Sequence, residues 1–174
     1  MKKLAIFAFA CLTVASQAIV LPTAFFATPP IMREGFDTTA AGPYTTLPVF
    51  GVPAIMNRIG TGGFLQNGPF AGTPSAPNMM AGVGVDARII SAIPMRRFGG
   101  FFRSGVYGAI SQVATFRFFD VAGNPIGSQT VPINTTWTWI GFQTFPKWRR
   151  VEIFGAIPGT QGYVGMDSLR IRPW

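Results

Sequence analysis

The sequence contains no histidine, a single cysteine at Cys11 and only six carboxylates. Without an imidazole, the common serine, cysteine and zinc hydrolase arrangements lack their base or ligand. The carboxylates Glu34, Asp37, Asp86, Asp120, Glu152 and Asp167 are too sparse to suggest a paired acid and base of the glycosidase kind. Long apolar runs are also missing, apart from Leu4 to Val14. That run falls short of the roughly 20 residues a helix needs to cross a bilayer.

What surrounds this run is informative. Met1-Lys2-Lys3 is a short basic start, and Ala15-Ser16-Gln17-Ala18 supplies small residues where a signal peptidase reads. The pattern predicts a secretory signal over residues 1–18, cleaved after Ala18, and an extracellular or envelope location with no stable membrane span after processing. Cys11 leaves with the leader, so no disulfide is expected and stability must come from an apolar core. Lys2 and Lys3 leave as well. Twelve basic residues then face the six carboxylates, and eleven of the twelve are arginine. A basic exported domain can adhere to acidic envelope polymers, although such charge also serves solubility.

Glycine (21) and proline (15) break the chain every few residues, with short runs of Val, Ile, Phe, Thr and Trp between them. This is the pattern of many short strands joined by turns. Residues 19–30 are expected to be a flexible lead-in and residues 31–174 a single domain. Gly60 to Pro77 reads as a long surface loop with a short strand near Phe64. Val113 to Phe118 alternates at period two, placing Ala114, Phe116 and Phe118 inward and Thr115 and Arg117 outward. Asp120 to Asn124 is a turn, and Ile126 to Val131 returns. Further strands are expected at Thr136–Phe142, Arg150–Phe154 and Tyr163–Arg172.

The order of these segments carries a resemblance. D-x-x-G-N-x-I-G begins at Asp120 and W-x-x-I-G-F at Trp137. R-R-V-E-I-F-G begins at Arg149, V-G-M-D-S-L-R-I at Val164 and R-E-G-F-D at Arg33. Together they resemble the jelly-roll domains of bacterial secreted proteins, including ectodomains of exosortase-sorted proteins and relatives of carbohydrate-binding modules. The match spans roughly Met32 to Ile171. It implies an all-β, two-sheet antiparallel jelly-roll sandwich of about nine strands. The closing motif departs from that pattern, with Ser168 in place of a second acid after Asp167. Domains of this kind hold a structural calcium where their first and last strands meet. Strict alternation would point both Glu34 and Asp167 to the apolar side, making them the candidate metal ligands. Backbone donors or an arginine could serve these carboxylates instead.

Aromatic and basic residues supply the other candidates. Trp137 and Trp139 share a strand face, and Trp148 sits beside Arg149 and Arg150 in a turn-like segment. Exposed rings could stack on sugars, but large aromatics also dominate the cores of small sandwiches. Tyr107, near Arg103, is the only hint of lyase chemistry. The doublets Arg96-Arg97 and Arg149-Arg150 do not make a nucleic-acid surface, because neighbouring strand residues point to opposite faces. Gly82 to Ala87 fits a loose dinucleotide fingerprint, yet a β-rich run follows it where a helix is needed. The reading is therefore an exported, non-catalytic domain that binds envelope or matrix polysaccharide and not nucleic acid. A self-associating structural protein and a carbohydrate-active hydrolase or lyase are the rival classes.

Overall fold

The computed structural model describes residues 18–51, 53–70, 72–75, 77–105, 113–155 and 164–173. Twelve strands account for nearly all of the regular structure, rather than about nine, because several are only two to four residues long. They are β1 (Ile19–Val20), β2 (Met32–Glu34), β3 (Gly42–Tyr44), β4 (Thr46–Val49), β5 (Ala54–Ile59), β6 (Phe64–Pro69), β7 (Asn78–Val83), β8 (Asp86–Arg103), β9 (Val113–Phe119), β10 (Pro125–Pro132), β11 (Thr138–Phe154) and β12 (Gly165–Arg172). All pairings are antiparallel. Among the described residues, no helix is long and apolar enough to cross a membrane.

The molecule is an antiparallel β-sandwich in which β8 and β11 belong to both sheets. Their register shifts between Gln143 and Trp148 and again between Trp148 and Arg150, an irregular stretch termed the bend. On one side of the bend, Asp86–Ser91 of β8 and Arg150–Phe154 of β11 lie in the order β10-β9-β11-β8-β5-β4. On the other side, Arg97–Arg103 and Thr138–Gln143 lie in the order β1-β11-β8-β12-β7-β6-β3, with β2 also on β12. These two halves are called the first and second sheet. The sequence read the two segments of β11 as separate strands.

The sheets meet through aromatic rings. Phe98 and Phe142 of the second sheet pack on Phe116 and Phe118 of the first, with centroid separations of 4.8–6.4 Å. Phe102 meets Phe116 edge-on at 5.0 Å. The alternation read in β9 holds: Ala114, Phe116 and Phe118 are fully buried and Arg117 is exposed. Thr115, expected to face water, is instead buried, its hydroxyl bonded to that of Thr130. Trp148, expected near the surface, is fully buried at 0 % exposure and stands edge-on to Phe98 at 5.9 Å. It closes the core at the bend of β11.

The stretch read as a flexible lead-in is structured, and the strand expected near Phe64 is present. The lead-in forms β1 against β11, then a short 3-10 turn at Thr23–Phe26 that buries Phe26 completely. The 60–77 stretch contributes β6, whose Leu65 and Asn67 are fully buried. Asn67 Nδ2 donates to the carbonyls of Phe36, Thr39 and Ala40 at 2.8–3.2 Å and so ties β6 to the segment after β2.

β2 and β12 are neighbours, with Glu34 opposite Leu169. Glu34 and Asp167 nevertheless point to opposite faces of the second sheet. Ser168 has a left-handed φ of 48°, and the register with β8 shifts between Asp167 and Arg170. The bulge inserts a residue and breaks the alternation. Asp167 therefore pairs with outward-facing Phe101, while Leu169 and Ile171 face the core. Glu34 accepts the backbone N–H groups of Phe36 and Phe50, each at 2.9 Å. Asp167 is covered by the 72–75 loop and accepts Ser75 N at 2.6 Å, Ser75 Oγ at 2.5 Å and Ser168 N at 2.5 Å. A calcium ion shared by the two side chains would require both on one face. The donors present are instead the backbone and hydroxyl alternative left open by the sequence.

Two outcomes test this architecture. Phe116→Ala and Phe118→Ala should each cost about 3–5 kcal/mol in denaturant unfolding, as expected for emptying a packed aromatic site, while Arg117→Ala should cost under about 1 kcal/mol. Asp167 supplies a pH test. Burial pushes its carboxyl above the usual value of 3.8, helped by the charge of Asp37 and opposed by the bonds from Ser75 and Ser168. A raised folded value means that the group's contribution is full below the unfolded value and is lost as pH rises through the folded one. Asp167→Asn should therefore gain in melting temperature relative to the natural protein as pH climbs from about 3 to about 7. A difference that stays flat with pH would show that burial does not act on this carboxyl.

Candidate functional site

The outer face of the second sheet gathers arginine and aromatic side chains. Along β8, Phe98, Gly100 and Phe102 alternate with outward Arg97, Gly99, Phe101 and Arg103. Across from them on β12, the bulge at Ser168 leaves Arg170 opposite Gly99 and Arg172 opposite Arg97. Arg33 of β2 lies opposite Arg170. On β11, Trp139 pairs with Phe101 and Gly141 with Gly99.

The two glycines explain how the rings lie down. A Cβ on Gly99 would come within 2.8 Å of Trp139 Cζ2, and one on Gly141 within 2.8 Å of Phe26 Cε2. The missing side chains make a shallow floor on which Trp139 and Phe26 rest edge-to-face at 5.2 Å. Phe101 meets Trp139 at 5.4 Å. Trp139 Nε1 donates to the carbonyl of Leu21 at 3.3 Å, and Leu21 N donates to Gly141 O at 2.7 Å. The segment before β2 is thereby strapped across one end of the face.

Three of the five guanidiniums on this face sit near rings. Arg103 lies 4.5 Å from the Phe70 centroid and 5.6 Å from that of Trp137, Arg170 lies 5.1 Å from Trp139, and Arg97 lies 5.5 Å from Phe25. Cation–π attraction of this kind holds a charge in place without neutralising it. Among the described residues, Arg33, Arg97, Arg103, Arg170 and Arg172 form no ion pair. Burial lowers the pKa of Arg97, Arg103 and Arg170. The charge of Arg172 then lowers that of Arg97 further, and the charge of Arg33 that of Arg170. The first sheet differs. There Arg88 and Arg150 converge on buried Glu152, at 2.9 and 3.5 Å, and Arg150 also lies 3.7 Å from the Phe119 ring.

The residues named from sequence are scattered differently from expectation. Trp137 and Trp139 do share this face, both partly buried. Trp137 packs on Phe70, Met79 and Ala81. Trp148 belongs to the core and cannot meet a ligand. Arg149 donates to Ser91 O at 3.1 Å at the bend, while Arg150 is held by Glu152. The triplet Trp148-Arg149-Arg150 is therefore no single surface, because alternation sends its members in different directions. Tyr107 lies outside the described residues. Glu34 and Asp167 are occupied with backbone and hydroxyl donors. The sequence reading missed Phe25, Arg97, Phe101 and the two closing arginines as members of one site. Their signal was the period-two spacing Arg97-Gly99-Phe101-Arg103, with Arg170 and Arg172 in the closing strand.

No protein-family model matches the sequence, and neither does any curated protein. Solved structures do share the fold. A cleaved adhesin domain of Lys-gingipain from Porphyromonas gingivalis superposes with a TM-score of 0.53 at 11% identity, covering 84% of this chain and 99% of that one. The CBM22-1 xylan-binding domain of Xyn10C from Paenibacillus barcinonensis gives 0.51 at 11% identity, covering 91% and 96%. The arabinose-bound MgGH51 α-L-arabinofuranosidase gives 0.51 at 18% identity over 79% of this chain, which spans only 25% of that enzyme. The chain thus has the β-sandwich fold found in carbohydrate-binding modules and adhesin domains.

Proposed function

We propose that this protein is an exported, non-catalytic domain that binds an acidic polysaccharide of the envelope or matrix through the outer face of its second sheet. The observation that carries the reading is the set of five arginines interleaved with aromatic rings on that face, with no carboxylate paired to them among the described residues. Rings offer a flat apolar surface to a sugar, and guanidinium forks match carboxylate and sulfate oxygens. The fold shared with carbohydrate-binding modules supports the same class, while fold alone does not choose a ligand. The lack of histidine and the use of Glu34, Asp86, Glu152 and Asp167 in internal bonds support a binding rather than a catalytic role. The basic start, short apolar run and small residues before Ile19 support export.

Affinity electrophoresis against polygalacturonate, dextran sulfate and neutral xylan tests the proposal. The two acidic polymers should retard the protein and xylan should not. Retardation should weaken as ionic strength rises from about 0.1 M to about 1 M, where the screening length falls from about 10 Å to about 3 Å. Arg103→Gln with Arg170→Gln removes two charge-assisted contacts, worth about 1.5–3 kcal/mol each, and should cost more than about tenfold in affinity. Arg88→Gln, on the other sheet, should leave affinity unchanged. Equal loss from both faces, or binding that ignores salt, would reject this face as the site. Mass spectrometry of exported protein should find an N-terminus at Ile19, and full-length protein in a membrane fraction would overturn cleavage after Ala18.

A further inference from the structure

A cavity of about 230 Å³ lies at the strapped end of the same face, lined by Ala24, Phe25, Thr28, Arg97 and Arg172. Its floor is the cross-strand pair Arg97–Arg172 and its wall is the 3-10 turn with the residues after it. The two arginines are held differently. Arg97 donates from Nε to Gln143 Oε1 at 2.9 Å and from Nη1 to the carbonyl of Phe25 at 2.7 Å, so its position is fixed by both sheet and strap. Arg172 has no hydrogen-bond or ion-pair partner among the described residues, and its Nε is buried without an acceptor. Like charges directly opposite on neighbouring strands repel, and a buried donor without a partner is costly. Nothing the described protein residues place there offsets either cost. Phe25 stands at the rim with 47 % of its surface exposed, its ring beside the fixed guanidinium.

We propose that this cavity is an anion subsite that receives the carboxylate or sulfate group of one acidic sugar, with Arg172 and the free edge of Arg97 as donors and the Phe25 ring beneath the sugar. The inference deepens the polysaccharide reading and rests on it for the identity of the polymer. The cavity is smaller than the roughly 300–1,000 Å³ typical of pockets that enclose larger ligands. It therefore takes one substituted ring or its charged group, and the rest of the chain runs along Trp139, Phe101 and Arg170. An anion between the two guanidiniums turns their mutual repulsion into shared attraction and supplies the acceptors that Arg172 lacks. Thr28 also lines the cavity, and its hydroxyl is a further donor available to such a group. Neutral sugars would leave both charges uncompensated and should bind weakly.

The experiment is titration of the processed protein with methyl glucuronide, glucose 6-sulfate and methyl glucoside, followed by backbone amide shifts and calorimetry. Both anionic probes, or one of them, should bind at least about tenfold more tightly than the neutral glucoside, with shifts centred on Phe25, Thr28 and Arg172. Binding of only one assigns the group as carboxylate or sulfate. Arg172→Gln should abolish this preference while leaving the melting temperature within a few degrees, since among the described residues no group bonds the side chain. Arg117→Gln, which removes an exposed charge on the first sheet, should change binding less than about twofold. Equal losses from the two variants would mean a general field effect and overturn the subsite, as would equal affinity for the neutral glucoside. The polymer reading fails separately. If acidic polymers do not retard the protein but the anionic monosaccharides map to the cavity, the subsite stands without it. If polymers are retained equally by the natural protein and Arg172→Gln, the face stands and the subsite falls.

Discussion

The pairing of β8 with β11 is the constraint on which the rest of the structure depends. Both strands pass through a bend and serve both sheets, so one antiparallel ladder fixes how the sheets are placed relative to each other. The inward residues of these strands, Phe98, Phe102, Phe142 and Trp148, join the aromatic core with Phe116 and Phe118. Their outward residues are Arg97, Gly99, Phe101, Arg103, Trp139 and Gly141. A change of register by one residue would exchange the two sets, putting arginines into the core and rings into water. Core and candidate site are therefore specified by the same hydrogen bonds.

Charge is divided between the sheets in a way that composition alone does not reveal. The few carboxylates are spent on structure. Glu34 and Asp167 collect donors from loops, Asp86 accepts Gly155 N, and Glu152 holds Arg88 and Arg150 on the first sheet. What remains on the second sheet is cationic. The charge excess read from the sequence has two simple uses, solubility and ligand binding. Spreading arginines at random would serve the first. Seating them beside rings on one face, where burial and neighbouring arginines already depress their pKa values, is costly for solubility alone.

The architecture was legible because period-two alternation is a local signal. It correctly oriented Ala114, Phe116, Phe118 and Arg117, and the turn at Asp120–Asn124 followed from its residues. It failed where the backbone departs from ideal pleating. Ser168 takes a left-handed conformation without being glycine, and the resulting bulge turns Asp167 away from the face shared by Leu169 and Ile171. Trp148 was misplaced for a related reason. The neighbouring Pro146, Lys147 and arginines look like a loop in sequence, yet β11 runs on through a bend and returns the indole to the core. The arginine face was invisible for want of tertiary information. Its members lie on β2, β8, β11 and β12, and only strand order brings them together.

The strap before β2 links these observations. Phe26 is buried on the outer surface of a sheet, against Trp139 and over Gly141, rather than in the space between the sheets. A tryptophan lying on a glycine floor leaves one edge open to water unless something covers it, and the chain between Leu21 and Phe26 does so. The same cover brings the Phe25 carbonyl to Arg97 and the Phe25 ring to the rim of the cavity. Packing that stabilises Trp139 thus also builds one wall of the anion subsite. The rigidity a binding surface needs comes from the bonds that hold the strap down, so ligand recognition requires no additional scaffold.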